Sequence, residues 1–342
     1  MEVMQEASKA IIDFDQKGLS ILEISHRSAP FVKVMDEAES LVRELLGVSD
    51  EYAVLFLTGG ASTQFFMTAM NLLDHNTTAH YLNTGTWSAK AIKEANLFGN
   101  VDEIASSKDR NFSYIPKGYS VPDDSTYLHL TSNNTIFGTQ IHEWPASKAP
   151  LVIDMSSDIF SQEVDVDRCT CIYAGAQKNM GPAGTTLVII KKNALGKVDR
   201  KITSMLDYNI HISKGSMFNT PPVFPIYVSM LTMRWVKAQG GVKEMHRRNK
   251  AKAELIYNEI DRNPLFKGIV DKTDRSLMNA TFVLNNVDHD AAFLKSCADH
   301  GISGLKGHRS VGGYRASMYN ALPIQSVQVL VDVMQEFAQK NQ

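Results

Sequence analysis

The stretch 52-YAVLFLTGGASTQFFMTAMNLLDHNTTAHYLNTG-85 decides how the chain folds. "YAVLFLTG" is a continuous apolar run that reads as a buried strand, "STQFFMTAMNLL" has helical periodicity, and "AHYLNTG" returns to a strand. The helical "WSAKAIKEANLFG" follows, and further apolar runs lie downstream in "TYLHLTS", "APLVIDMS", "CTCIYAG" and "TTLVIIKK". Strands that are apolar on both faces and alternate with helices predict an α/β fold with a mostly parallel sheet covered by helices. Such sheets bind ligands beyond the carboxyl ends of their strands. There the sequence places Gly59 to Ser62, Asn83 to Trp87, Ser132 to Thr135, Asp154 to Ser157 and the turn Gly175 to Lys178.

Upstream, "MQEASKAIIDF" puts Ala7, Ala10, Ile11 and Phe14 on one helical face, with Gly18 as a stop. "VKVMDEAESLVRELLG" repeats the scheme with Val34, Ala38, Leu41, Val42 and Leu45 before Gly47, and the polar "SHRSAP" separates the two helices. Downstream, "PIYVSMLTMRWVKAQGGVKEMHRRNKAKAELIYNEIDRN" is helical with a break at Gly240 and Gly241. The strand "NATFVLN", the helix "DHDAAFLKSCADHG", the segment "GYRASMYN" and the final helix "PIQSVQVLVDVMQEFAQK" then form a small α+β unit. The expected division is a large domain over 1–240 and a small C-terminal domain over 241–342.

A chain of 342 residues, 44% apolar and 21% charged, buries a sizeable core. Its formal net charge of −2 gives no bulk attraction to nucleic acid or to anionic membranes, so any anion site must be local. Cys169, Cys171 and Cys297 are too few and too unevenly spaced for a disulfide framework or a four-ligand zinc site, and no metal is expected. Without an apolar run of about 18 residues or a secretory signal, a reducing cytoplasm is the expected compartment.

Against this background "YAGAQKNMGPAG", residues 173 to 184, holds a single cation, Lys178, among small residues and between two apolar strands. Asp154 ends the preceding apolar strand, where an unpaired carboxylate is costly to bury. Lys178 and Asp154 either pair with each other or face one cofactor from two strand ends. Pyridoxal phosphate needs such a pair: an amine for the covalent linkage and a carboxylate that keeps the ring nitrogen protonated. "TGGAST", residues 58 to 63, opens a helix after a strand and is either an ordinary tight turn or a phosphate cradle. Trp87 is either core or a flat surface on which a planar cofactor stacks. Two basic stretches, "SHRS" with His26 and Arg27 and "KGHRSVGGYR" with Lys306, His308, Arg309 and Arg315, are solvated loops or, if they meet in one cleft, a site for a multiply anionic substrate.

Taken in order, "EISHRS", "GGASTQF", "GTWS", "NNTIFGTQ", "DMSSDI", "YAGAQKNMGPAG", "NTPPVF" and "GHRSVGGYRASMYNA" span nearly the whole chain. Together they resemble the phosphoserine aminotransferases, fold-type-I pyridoxal phosphate enzymes of the class V aminotransferase group. The resemblance implies that Lys178 is the Schiff-base lysine, that Asp154 meets the pyridine nitrogen, that Trp87 stacks on the ring and that Thr135 donates to the ring hydroxyl. Ala61, Ser62 and Gln177 would hold the cofactor phosphate, joined from a second subunit by Asn219 and Thr220, so a homodimer with shared sites is implied. Arg315 would take the substrate α-carboxylate, and His26, Arg27, His308 and Arg309 the phosphate or the glutamate side chain. The implied reaction interconverts 3-phosphohydroxypyruvate plus glutamate with phosphoserine plus 2-oxoglutarate in serine biosynthesis, with a related phosphorylated oxo acid of pyridoxine biosynthesis as a further substrate. Members of the family usually carry a short Gly-Pro-containing segment ahead of the first helix, whereas here Met1 is followed at once by that helix. The alternatives are another class V aminotransferase, a desulfurase, which needs a mobile nucleophilic cysteine, and a non-catalytic cofactor-binding homologue.

Overall fold

The computed structural model describes residues 2–341. Helix α1 (Glu2–Ile12) packs Ala7 and Ala10 inward and is followed by a short 3-10 turn that buries Phe14. Ile11, expected on the same face, is 41% exposed, because α1 presents only a narrow stripe to the helix it rests on. Helix α2 (Ala29–Leu46) buries its predicted stripe and ends at Gly47, whose φ of 68° is the left-handed conformation a helix stop requires.

The quoted stretch folds as read: β1 (Tyr52–Leu57), α3 (Gly60–Leu72) and β2 (Thr78–Asn83), then α4 (Thr86–Ala95) and β3 (Asn100–Ser106). Strands β4 (Leu128–Thr131), β7 (Leu151–Asp154), β8 (Cys169–Gly175) and β9 (Thr186–Lys191) complete a seven-stranded sheet, while β5 (Asn133–Asn134) and β6 (Thr139–Gln140) form a small hairpin off β4. The strand order is β1-β9-β8-β7-β4-β2-β3. The pairs β8/β7, β7/β4, β4/β2 and β2/β3 are parallel, and β9 is antiparallel to both β8 and β1. The sheet is thus mostly parallel, as expected, but the turn after β8 is a hairpin and not a crossover. Edge strand β3 was not legible in the sequence: "NVDEIAS" has one face in water and lacks the apolar run of its neighbours.

Helices α5 (Tyr208–Ser213) and α6 (Val223–Ala238) follow, then α7 (Gly241–Arg262), with Gly240 at φ 107° making the predicted break. A second sheet, β10 (Phe266–Gly268), β11 (Asn279–Leu284) and β12 (Tyr314–Ser317), is antiparallel in that order. It packs with α7, α8 (Asp290–Asp299) and α9 (Ile324–Asn341) around its own cluster, including Phe266, Phe282, Phe293, Tyr314 and Phe337. The β5–β6 hairpin meets β11 closely: a Cβ on Gly138, at φ 83°, would lie 2.3 Å from Thr281 Oγ1. That contact brings the second sheet to the carboxyl ends of the first.

Candidate active site

Strands β7 and β8 are adjacent and parallel, so the residues just past their ends share one edge. Asp154 ends β7 and is 5% exposed. Ser156 donates to its Oδ1 twice, from N–H at 2.9 Å and from Oγ at 2.6 Å, and no hydrogen bond reaches Oδ2 among the described residues. Burial raises the Asp154 pKa, against the pull of the Ser156 donors and of Lys178. Ser156 Oγ also accepts from Gly175 N–H at 3.1 Å, which fixes the two strand ends to each other.

Lys178 sits in the β8–β9 hairpin, with Nζ 5.5 Å from the centre of the Trp87 ring. Its attraction to Asp154 is coulombic, without a hydrogen bond, so the two do not form the simple ion pair that the sequence left open. Burial lowers the Lys178 pKa; Asp154 opposes this and Arg315 adds to it. The small residues around Lys178 have steric reasons. A Cβ on Gly175 would lie 2.6 Å from Gln177 Oε1, and one on Gly181 would lie 2.6 Å from Ser229 Oγ of α6.

Trp87, in the first turn of α4, donates from Nε1 to Thr135 Oγ1 at 3.3 Å, and Thr135 O accepts from Arg315 Nη1 at 3.1 Å. Arg315 Nε is buried without a partner among the described residues. Helix α3 opens at Gly59 and Gly60, at φ 94° and 68°, with no side-chain cap on its free N–H groups. Gly60, Ala61, Ser62, Trp87, Asp154, Gln177 and Lys178 line one small cleft of about 140 Å³. Of the predicted residues, the structure therefore gathers Ala61, Ser62, Trp87, Thr135, Asp154, Gln177, Lys178 and Arg315.

It does not gather the others. Arg27 and Arg309 are exposed, and His26 and His308 are half-buried; His308 Nδ1 is engaged with Ser310 Oγ at 2.7 Å. No hydrogen bond or ion pair joins these residues to the cleft among the described residues. Asn219 and Thr220 are exposed on the segment before α6.

Sequence reasoning missed Asp158, His129 and Gln140. Asp158 is fully buried beside Asp154, accepts from Ser132 Oγ at 2.5 Å and Gln140 Nε2 at 3.3 Å, and burial pushes its pKa up to about 7. Its signal was the second carboxylate of "DMSSDI". His129 is stacked on Tyr81 at 4.7 Å and bonded to the Tyr173 hydroxyl at 2.8 Å; burial pulls its pKa down to about 3, and it joins β4 to β2 and β8 inside the sheet's core. Cys297 is 1% exposed within α8, and burial raises its pKa to about 11, which removes the mobile nucleophile a desulfurase needs.

The donor set fits a flat cofactor with an anionic tail. Open N–H groups at the start of α3 suit the anion, the Trp87 face suits a ring, and the second carboxylate oxygen of Asp154 suits a protonated ring nitrogen. No group of at least three His, Cys, Asp or Glu residues that could hold a metal ion occurs among the described residues.

Fold and cleft are those of a class V aminotransferase, and the family model described as "Aminotransferase class-V" matches residues 1–330. The phosphoserine aminotransferase of Flavobacterium johnsoniae is 60% identical over 340 residues, covering 99% of this chain and 96% of its own. That of Bacteroides fragilis is 57% identical over 338 residues, covering 98% and 95%. The crystallised phosphoserine aminotransferase of Bacillus circulans superposes with a TM-score of 0.96 at 42% identity, over 100% of this chain and 96% of its own. A pyridoxal-phosphate-bound phosphoserine aminotransferase from Trichomonas vaginalis gives 0.93 at 35% identity, over 98% and 96%. The chain belongs to the phosphoserine aminotransferase family.

Proposed function

We propose that this aminotransferase binds pyridoxal 5′-phosphate and interconverts 3-phosphohydroxypyruvate plus L-glutamate with O-phospho-L-serine plus 2-oxoglutarate, supplying serine biosynthesis in the cytoplasm. The observation that carries the reading is Lys178 and Asp154 on adjacent strand ends, unbonded to each other and flanked by the Trp87 face. The cofactor supplies an aldehyde that takes up the amino group and a ring that withdraws electrons from the substrate α-carbon.

The chain's residues do the rest. Asp154 fixes the ring nitrogen in its protonated form, since a buried carboxylate with a free oxygen is stabilised by an N–H donor. Trp87 and Thr135 hold the ring plane, and the first turn of α3, through Ala61 and Ser62, holds the phosphate with Gln177. Lys178 Nζ, its pKa lowered by burial, would anchor the cofactor and then, as a free amine, would carry the proton from the substrate α-carbon to the cofactor carbon that bears the nitrogen. Arg315 holds the substrate α-carboxylate with its planar fork. His26, Arg27, His308 and Arg309 confer preference for a phosphate or a second carboxylate. Asn219 and Thr220, exposed in one chain, reach the cofactor phosphate of a second subunit in a homodimer. The large domain over 1–240 carries the cofactor, and the small one over 241–342 carries the substrate arginine.

The test is the absorption spectrum of the purified, cofactor-loaded protein with L-phosphoserine or L-alanine. Loss of the visible cofactor band with phosphoserine and not with alanine is expected. A band unmoved by phosphoserine, or moved equally by alanine, overturns the assignment.

A further inference from the structure

The residue after the lysine, Asn179, is 6% exposed and Asn320, just past β12, is 5% exposed. Asn179 donates from Nδ2 to Ile159 O at 2.6 Å and accepts at Oδ1 from Asn320 N–H at 2.8 Å. Asn320 donates from Nδ2 to Phe160 O at 2.9 Å and accepts at Oδ1 from Asn249 Nδ2 of α7 at 2.8 Å. Both accepting carbonyls belong to the turn that leaves Asp154. That turn ends at Phe160, fully buried at φ 59°, a conformation that a bulky residue holds only when its surroundings enforce it. Lys252 of α7 closes the arrangement, donating to Met318 O at 2.9 Å and Tyr319 O at 2.8 Å, in the segment between Arg315 and Asn320.

We propose that Asn320 is a positioning residue that holds three catalytic elements in one register: the Lys178 hairpin, the turn after Asp154, and the strand that presents Arg315. It touches neither substrate nor cofactor. Through its backbone N–H it fixes Asn179 and so the hairpin, through Nδ2 the Asp154 turn, and through Oδ1 helix α7. The distance from Arg315 to Lys178 is thereby set by a buried amide, not by contacts that substrate must form. This rests on the roles assigned above to Lys178 and Arg315.

The test is Asn320→Ala, which removes the Nδ2 tie to Phe160 O and the Oδ1 tie to Asn249 and keeps the backbone N–H to Asn179, in the cofactor-loaded enzyme, beside Asn263→Ala. Asn263 is also buried, and it bonds Glu259 and Met334 O within the second unit, away from the cleft. Equal readouts are thermal melting, kcat and KM for phosphoserine and for glutamate, and the pH at which the bound cofactor's visible band titrates. For N320A we expect kcat to fall about 10- to 100-fold, the cost of a small misplacement of reacting groups. KM should rise for both substrates, because both present an α-carboxylate to Arg315, and the band's titration should shift. N263A should lower the melting temperature and leave kcat, KM and the band unchanged. Wild-type kinetics per folded molecule in N320A, or the same kinetic losses in N263A, overturn the proposal. If N320A does not accumulate folded, Asn320→Asp, which keeps the shape and the Oδ1 acceptor but loses the donor to Phe160 O, carries the same comparison. Failure of the wild type itself to turn over phosphoserine refutes the functional assignment and not this one.

Discussion

Two lysines in this molecule are withdrawn from water and treated in opposite ways. Lys178, at the sheet's carboxyl edge, has no hydrogen bond to its Nζ among the described residues and faces an aromatic ring and a carboxylate it does not touch. Lys252, 1% exposed in α7, donates to two backbone carbonyls and has no carboxylate partner among the described residues. Burial lowers both pKa values, that of Lys252 to about 8. Desolvation alone therefore does not distinguish the lysine proposed as the reactive amine from the structural one. The distinction lies in hydrogen bonding: Lys252 is spent on the fold, while Lys178 Nζ has no hydrogen-bond partner among the described residues to hold it in place.

The largest effect that tests this contrast is Lys178→Ala. Turnover should fall by at least about 10²–10⁴-fold, the usual worth of a positioned proton-transfer group. The cofactor-free protein should melt no lower than wild type, since the lost amine bonds to nothing. A variant that transaminates at the wild-type rate, or a cofactor-free fold that collapses, would show that Lys178 is structural after all.

Next in size, Arg309→Ala and Arg27→Ala should each lower kcat/KM for phosphoserine by about 1.5–3 kcal/mol, mainly through KM, as a lost charge-assisted contact does. The visible cofactor band and the melting temperature without substrate serve as controls, and an unchanged KM for phosphoserine would contradict the phosphate role. Lys252→Met keeps the apolar stem and removes the donor to both carbonyls; denaturant unfolding should report a loss of about 1–3 kcal/mol. Unchanged stability would erase the difference between the two lysines.

A different kind of effect is a pH dependence at Asp158. Its folded pKa is raised from 3.8 to about 7, so the folded protein holds a proton there that the unfolded chain has released. The resulting stability is fully present below about pH 4 and is lost as pH rises through 7. Asp158→Asn lacks this titration. Between pH 4 and 7, unfolding free energies of the cofactor-free proteins should therefore move in the variant's favour, and parallel curves would count against a buried, protonated Asp158.

The cleft was legible to the extent that its chemistry sits in short local signals. "TGGAST", "GTWS" and "YAGAQKNMGPAG" each combine a strand end with small residues, and a parallel sheet gathers such ends on one edge. Lys178 was legible because its neighbours are forced to be small by Gln177 and Ser229. Asp158 was harder to see because its environment comes from Ser132 and Gln140, 26 and 18 residues away. Edge strand β3 and the exposed Ile11 escaped for a simpler reason: hydrophobic periodicity reports only surfaces that are buried, and on a side that meets water it is weak or misleading.

By itself, then, the sequence determined the α/β class, the helix stops at Gly47 and Gly240, and the placement of Lys178, Asp154 and Trp87 just past strand ends. These follow from side-chain period and backbone stereochemistry, which act over a few residues. Only the tertiary structure decided that β9 runs against its neighbours, that Lys178 and Asp154 stay apart, and that Asn320 ties the lysine hairpin to the Asp154 turn. Each of these depends on atoms brought together from distant parts of the chain, and no local pattern encodes the distance between them.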